Sequence, residues 1–165
     1  PIEEVGTMGM DVYGKAPTSE KGEYFRNSVW YWHPLAEYIQ AAHPALAEPC
    51  QHWHTNDGDG LDAEQARALG EALRTDIHKG TVAAYASAYA ARIESIPREG
   101  CRYCEGTGTR RDEVGQQMGM VERGWCNACD GVGTCAPPEA HYPFDEANVA
   151  AFARFAIASG GFEIW

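Results

Sequence analysis

The sequence predicts an α+β fold, mainly helical, with about four helices, a cysteine-rich β-hairpin inserted before the last of them, and short strands at the two ends. Three observations carry this expectation. Apolar residues recur at three- and four-residue spacing in segments that begin near positions 33, 62, 81 and 145. A glycine- and cysteine-rich stretch over 100–135 interrupts the helical pattern. Short apolar alternations stand near each end, at Met8–Tyr13 and Phe162–Trp165, and pairing them would bring the termini together.

The helices follow in order. Trp30, Tyr31, Trp32, Leu35, Tyr38 and Ile39 suit an amphipathic helix starting at His33-Pro34, where proline fits a first turn. Asn56-Asp57-Gly58-Asp59-Gly60 is a turn cluster. Asp62 with Gln65 then forms a capping box for a helix to about Lys79, with Ala66, Leu69, Leu73 and Ile77 as its buried stripe. Gly80 ends that helix, and Val82, Tyr85, Tyr89, Ile93 and Ile96 mark a second that Pro97 stops, so the two are expected as an antiparallel hairpin. Asp145 caps a last helix, apolar nearly all round, which belongs in the core and ends at Gly160.

With 165 residues, 44% of them hydrophobic and 22% charged, the chain is expected to be a single domain over 1–165. No apolar run is long enough to cross a bilayer, which needs about 20 residues. Pro1-Ile2-Glu3-Glu4 lacks the basic start and apolar stretch of a secretory signal, so a cytoplasmic location is expected. Pro1 as an N-terminal catalytic base finds no supporting motif downstream. The net charge of −11 opposes binding to nucleic acid, whose affinity comes largely from Lys and Arg. The charge is uneven: residues 1–91 carry 6 basic and 13 acidic groups, 92–123 carry 6 of each, and 124–165 carry 1 and 5. Arg98, Arg102, Arg110, Arg111 and Arg123 all lie around the cysteines, so a small patch for an acidic partner competes with an ordinary solvated face.

Cys101-Arg102-Tyr103-Cys104-Glu105-Gly106-Thr107-Gly108 and Cys126-Asn127-Ala128-Cys129-Asp130-Gly131-Val132-Gly133 are two copies of CxxCxGxG, with 21 residues between Cys104 and Cys126. Each CxxC turn offers two thiolates from one side of a tight loop, and two turns complete a tetrahedral zinc set with no open position. The glycines allow positive φ and bring backbone N–H groups toward the sulfurs. A segment so poor in aliphatic side chains needs this source of folding free energy. One structural Zn2+ on Cys101, Cys104, Cys126 and Cys129, in an inserted zinc-binding subdomain over 100–135 built as a zinc-knuckle hairpin, is therefore the expectation. A thioredoxin-like dithiol would instead need one CxxC opening a helix after a strand.

Over about residues 101–135 these motifs resemble the DnaJ-type cysteine-rich zinc motif. Chaperones of that type carry four copies and two zincs; two copies imply one zinc, as in the anti-TRAP type of regulator, which works by binding another protein. His33-Pro34 and His43-Pro44 are followed by Leu35 and Ala45 where a J-domain has Asp, so chaperone function does not carry over. Met8-Gly9-Met10-Asp11-Val12-Tyr13-Gly14 with Asn56-Asp57-Gly58-Asp59-Gly60-Leu61 resembles a family of small bacterial proteins, a resemblance that implies no mechanism.

Weaker signals remain. Cys50, His52 and His54 alternate and share a face if extended, which suggests a second metal or a hydrolytic or redox centre, with His43, His78 or His141 as a distant ligand. An EF-hand register on Gly60 would place Thr55 and Ala66 where acidic ligands are required, so calcium is rejected. Cys135 is a free thiol or an alternative ligand. The leading functional expectation is a small zinc-stabilised regulatory or adaptor protein that binds another protein. The alternatives are an enzyme using Cys50, His52 and His54, and nucleic-acid binding through Arg110, Arg111 and Arg123.

Overall fold

A computed structural model describes residues 9–165; Pro1 and Met8 lie outside the described residues. The elements in chain order are β1 Gly9–Gly14, β2 Tyr24–Ser28, α1 Val29–Ala42, α2 Pro44–Ala47, β3 Asp59–Leu61, α3 Ala63–His78, α4 Thr81–Ser95, β4 Glu99–Gly100, α5 Glu113–Gln117, α6 Met120–Arg123, β5 Thr134–Cys135, α7 Glu146–Ala158 and β6 Phe162–Ile164. The class is α+β and mainly helical, and the four long helices are α1, α3, α4 and α7. No described helix is long and apolar enough to cross a membrane. The chain forms two compact units: residues up to Ala91 with Tyr142–Trp165, and Arg92–His141.

The first unit is built on an antiparallel sheet of order β2-β1-β6-β3. The two ends do pair, with Val12 opposite Ile164 and Gly14 opposite Phe162. Trp165 and Asp11 extend the ladder by exchanging both backbone hydrogen bonds, 2.8 and 2.7 Å. The inward positions of β1 and β6, Met10, Val12, Phe162 and Ile164, are buried as period-2 alternation requires.

Helix α3 starts as its sequence dictates. Asp62 Oδ1 accepts from the Gln65 backbone N–H at 2.8 Å, and Gln65 Oε1 accepts from the Asp62 N–H at 3.0 Å. Ala66, Leu69 and Leu73 are fully buried. The expected hairpin with α4 is not formed as a packed pair; α3 packs chiefly against α7. Gly70 explains the choice, because a Cβ there would stand 2.7 Å from Ile157 Cγ1 and 2.8 Å from the Ala153 carbonyl. Only a bare backbone lets the two helices approach this closely. Helix α4 uses its aromatic face differently: Tyr85 packs edge-on against Tyr38 and Phe144, with centroids 4.8 and 4.7 Å away.

Helix α1 begins at Val29, directly after β2, and not at His33-Pro34. Pro34 therefore sits inside the helix and leaves the Trp30 carbonyl without its intrahelical donor. Burial of Trp32, Leu35, Ala36, Tyr38 and Ile39 on one face offsets this loss. Helix α7 lies in the core as expected, with Val149, Phe152, Ala153, Phe155 and Ala156 buried.

The second unit departs from a simple hairpin. Strands β4 and β5 form a two-rung ladder, Glu99 opposite Cys135 and Gly100 opposite Thr134. Between them lie two cysteine turns and the short helices α5 and α6. Asp112 caps α5 by accepting from the Gly115 N–H at 2.9 Å, and Gly119 and Gly124, at φ 63° and 61°, bound α6. These local turn signals override the extended conformation that a hairpin needs.

Candidate metal centre

The two CxxCxGxG segments fold as near copies. In the first, the Gly106 and Thr107 N–H groups donate to the Cys101 and Cys104 carbonyls at 3.3 and 2.9 Å; in the second, Gly131 and Val132 donate to Cys126 and Cys129 at 3.1 and 3.0 Å. The chain turns back through left-handed residues: Glu105, Gly106 and Gly108 at φ 52°, 81° and 78°, and Asp130, Gly131 and Gly133 at 53°, 78° and 85°. This turn aims one N–H at a sulfur in each copy: Gly108 donates to Cys104 Sγ at 3.3 Å and Gly133 to Cys129 Sγ at 3.2 Å. The two turns then cross at their glycines. A Cβ on Gly108 would lie 2.4 Å from the Gly131 carbonyl oxygen, and one on Gly133 2.4 Å from that of Gly106. The last residue of each CxGxG must therefore be glycine for two separate reasons, backbone conformation and space.

This crossing brings the four thiols together. Cys101, Cys104, Cys126 and Cys129 are buried and their Sγ atoms all lie within 4.8 Å of one another. Cys101 and Cys126 stand 4.0 Å apart, and Cys104 and Cys129 3.7 Å. All six cysteines of the chain are free thiols. Such a set can hold one metal ion in an all-sulfur shell. Burial pushes the Cys101 thiol up, but the backbone N–H groups of Cys104 and Tyr103 and the neighbouring thiols of Cys135 and Cys104 outweigh it and draw its pKa down to about 6. Burial and the neighbouring Cys101 raise that of Cys135. Cys135 packs against the cluster but is not one of the four, and its Sγ donates to the Ala128 carbonyl at 3.4 Å.

The arginines around the centre are largely engaged with this unit's own chain. Arg110 bridges Asp112 at 2.8 Å and donates to Asn127 Oδ1 at 3.1 Å. Arg123 donates to the Gly119 carbonyl at 3.1 Å and to that of Met118, and Arg98 holds Thr134 through its hydroxyl at 2.9 Å and its carbonyl at 2.6 Å. Arg102 and Arg110 both stand over the Tyr103 ring, 4.8 and 4.7 Å from its centre.

Among the described residues the four cysteines are the one set of three or more His, Cys, Asp or Glu side chains with ligand atoms this close. Cys50, His52 and His54 are not brought together as such a set. Cys50 is 2% exposed within the hydrophobic core, where burial and the Asp59 charge push its thiol up to about 12. His52 is exposed. His54 meets His33 instead, Nδ1 to Nδ1 at 2.7 Å. Of the distant candidates, His43 Nε2 bonds Asp76 at 2.7 Å, His78 Nδ1 bonds the Arg74 carbonyl at 2.8 Å, and His141 ends a short 3-10 turn, Pro138–His141. His33 escaped the sequence reading because its pairing with His54 is made by the fold, across 21 positions. Compared with known proteins, the chain matches no family model, no curated protein and no solved structure.

Proposed function

We propose that Cys101, Cys104, Cys126 and Cys129 hold one structural zinc ion, and that the chain is a small regulatory or adaptor protein that binds another protein through the zinc-held segment. The observation that carries the reading is the buried four-sulfur cluster. A tetrahedron of thiolates around zinc, with Zn–S bonds of about 2.3 Å, has edges of about 3.8 Å. The two separations of 4.0 and 3.7 Å bracket that value. They are also far longer than a disulfide bond of about 2.0 Å. The N–H···S contacts from Gly108 and Gly133 are the outer-sphere support that an anionic thiolate centre requires. Zinc adds no redox chemistry there, and four protein ligands leave no position for substrate; its contribution is folding free energy. On this reading 100–135 is an inserted zinc-binding subdomain akin to half of the DnaJ-type cysteine-rich motif. Six free thiols also fit the reducing cytoplasm.

Protein binding is supported by what this unit leaves in solvent. Tyr103, Val114, Met118 and Val132 are 39, 41, 53 and 66% exposed, and Val114 and Met118 stand one helical turn apart on α5 and its cap. Apolar groups displayed by a segment held rigid through its metal make a ready contact surface. The enzymatic alternative is disfavoured by the inert, core-buried Cys50, and the nucleic-acid alternative by the internal bonds of Arg110 and Arg123.

Elemental analysis of reductively purified protein should find one equivalent of zinc. Cross-linked partners captured from the native host should be lost in a V114E/M118E variant that keeps its zinc. Absence of zinc overturns the centre, and undiminished capture by the double variant overturns the surface.

A further inference from the structure

His33 lies on α1 and His54 on the loop between α2 and β3, yet their Nδ1 atoms stand 2.7 Å apart. His54 Nε2 lies 2.9 Å from Gln40 Oε1, so the Nε2–H donates and the His54 lone pair is on Nδ1, facing His33. A carbonyl oxygen fixing the far ring nitrogen is the usual outer-sphere arrangement of a metal-ligating histidine. His33, Glu37 and Gln40 stand at i, i+4 and i+7 and share one face of α1.

Both rings are held from beneath. The residue before each, Trp32 and Trp53, is fully buried; the Trp32 indole donates to the Trp53 carbonyl at 2.6 Å, and the Trp53 indole donates to the Ala47 carbonyl at 3.0 Å. The loop and the helix are thus locked together one residue away from the pair. Tyr142 flanks His33, ring centres 6.0 Å apart, and packs in turn at a tilt against Trp30 at 4.8 Å.

We propose that His33 Nδ1 and His54 Nδ1 form a second site for a divalent transition-metal ion of the imidazole-preferring kind, with its remaining positions open to water. Metal–nitrogen bonds of about 2.0–2.1 Å separate two nitrogens by about 2.9 Å at cis positions of an octahedral ion and about 3.3 Å around a tetrahedral one. The rings already stand near the first of these distances. On binding, the proton between the two Nδ1 atoms moves through solvent to His33 Nε2, both Nδ1 lone pairs face the ion, and no net proton is released. Burial and the nearby His33 lower the His54 pKa, which keeps the ring in its neutral, ligating form, while Glu37 opposes them. This site shares no residue with the cysteine centre and contains no sulfur. The two therefore differ in kind: one closed and thiolate-rich, the other open and built on imidazole nitrogen.

The test is a titration of Ni2+ into the full-length chain whose cysteine centre already carries zinc, followed by calorimetry and by NMR of the imidazole signals. One further equivalent is expected, with paramagnetic broadening confined to residues around His33 and His54. His33→Gln and His54→Gln should each weaken it by about tenfold or more, and His52→Gln not at all. Broadening in the unmodified chain needs no variant to fold. No saturable binding at millimolar Ni2+, or binding that survives both His33→Gln and His54→Gln, overturns the proposal.

Discussion

The two units of this chain solve the same folding problem with different materials. The first buries a continuous aromatic cluster: Phe152 stands within 5.3–5.9 Å of Phe25, Trp32, Phe155 and Phe162, ring centre to ring centre. In the second, the buried apolar set is essentially the four cysteines, with Met120 apart from them. Each large apolar side chain of the first unit contributes about 1.5–3 kcal/mol by leaving water, so its stability is a sum of many comparable parts. On the proposed zinc reading, the second draws on one coordination event worth roughly 10–16 kcal/mol of apparent binding free energy at neutral pH in small zinc modules. A distributed core fails by degrees. A single centre fails at once.

Chelation should break the comparison most visibly. Removing the metal, or replacing Cys126 with Ser, should unfold residues 92–141 while the first unit keeps its amide pattern by two-dimensional NMR. Proteolytic cuts should then fall within the second unit alone. An unchanged pattern over 92–141 after complete metal removal would mean that coordination does not hold this unit. The converse experiment has a smaller effect. Phe152→Ala leaves a cavity in the aromatic cluster and should cost about 3–5 kcal/mol of first-unit stability by chemical denaturation, with zinc content unchanged.

The contrast also governs what could be read from sequence. The cysteine turns and the capping box of α3 are local: Asp62 and Gln65 need only each other, and CxxCxGxG encodes its own left-handed backbone. The end-to-end strand pairing and the burial of α7 followed from apolar pattern alone. Features set by non-local packing did not. Pro34 marked a helix start by local rule, but burial of Trp32 and Ile39 carried the helix four residues further back. The α3–α7 contact depends on Gly70 meeting Ala153 and Ile157, a match that no spacing within α3 reveals. Likewise β2 and β3 are strands because β1 and β6 offer them edges. The alternation of Cys50, His52 and His54 suggested a shared face, yet the loop sends Cys50 into the core and His54 toward His33.

The smallest predicted effect concerns a side-chain acceptor that each unit pairs with backbone N–H groups. In the second unit the acceptors are the Cys104 and Cys129 sulfurs, with one N–H each, and in the first it is Asp59. Its Oδ2 accepts from the Gln51 and His52 N–H groups at 2.7 and 3.0 Å, and its Oδ1 from Gly60 at 2.8 Å, so that one carboxylate shapes the loop leading to Trp53. Burial alone would raise the Asp59 pKa; the three N–H donors and the nearby His52 outweigh it and hold the carboxyl below the usual range. A depressed carboxylate adds stability above its unfolded pKa, near 3.9, and that stability is lost as pH falls from about 4 through the folded value. Asp59→Asn keeps the shape but removes the charge, and should cost about 1 kcal/mol at pH 7, or roughly 2–4 °C in Tm. The gap between the two proteins should close below about pH 4. Protonation competes with metal for thiolates well above the carboxylate range, so the second unit should melt first on acidification. The Asp59 loop should then loosen in a separate, later step. Thermal melts of both proteins across this range measure the gap directly. A gap that stays constant down to pH 3 would show that the loop is held by shape rather than by charge.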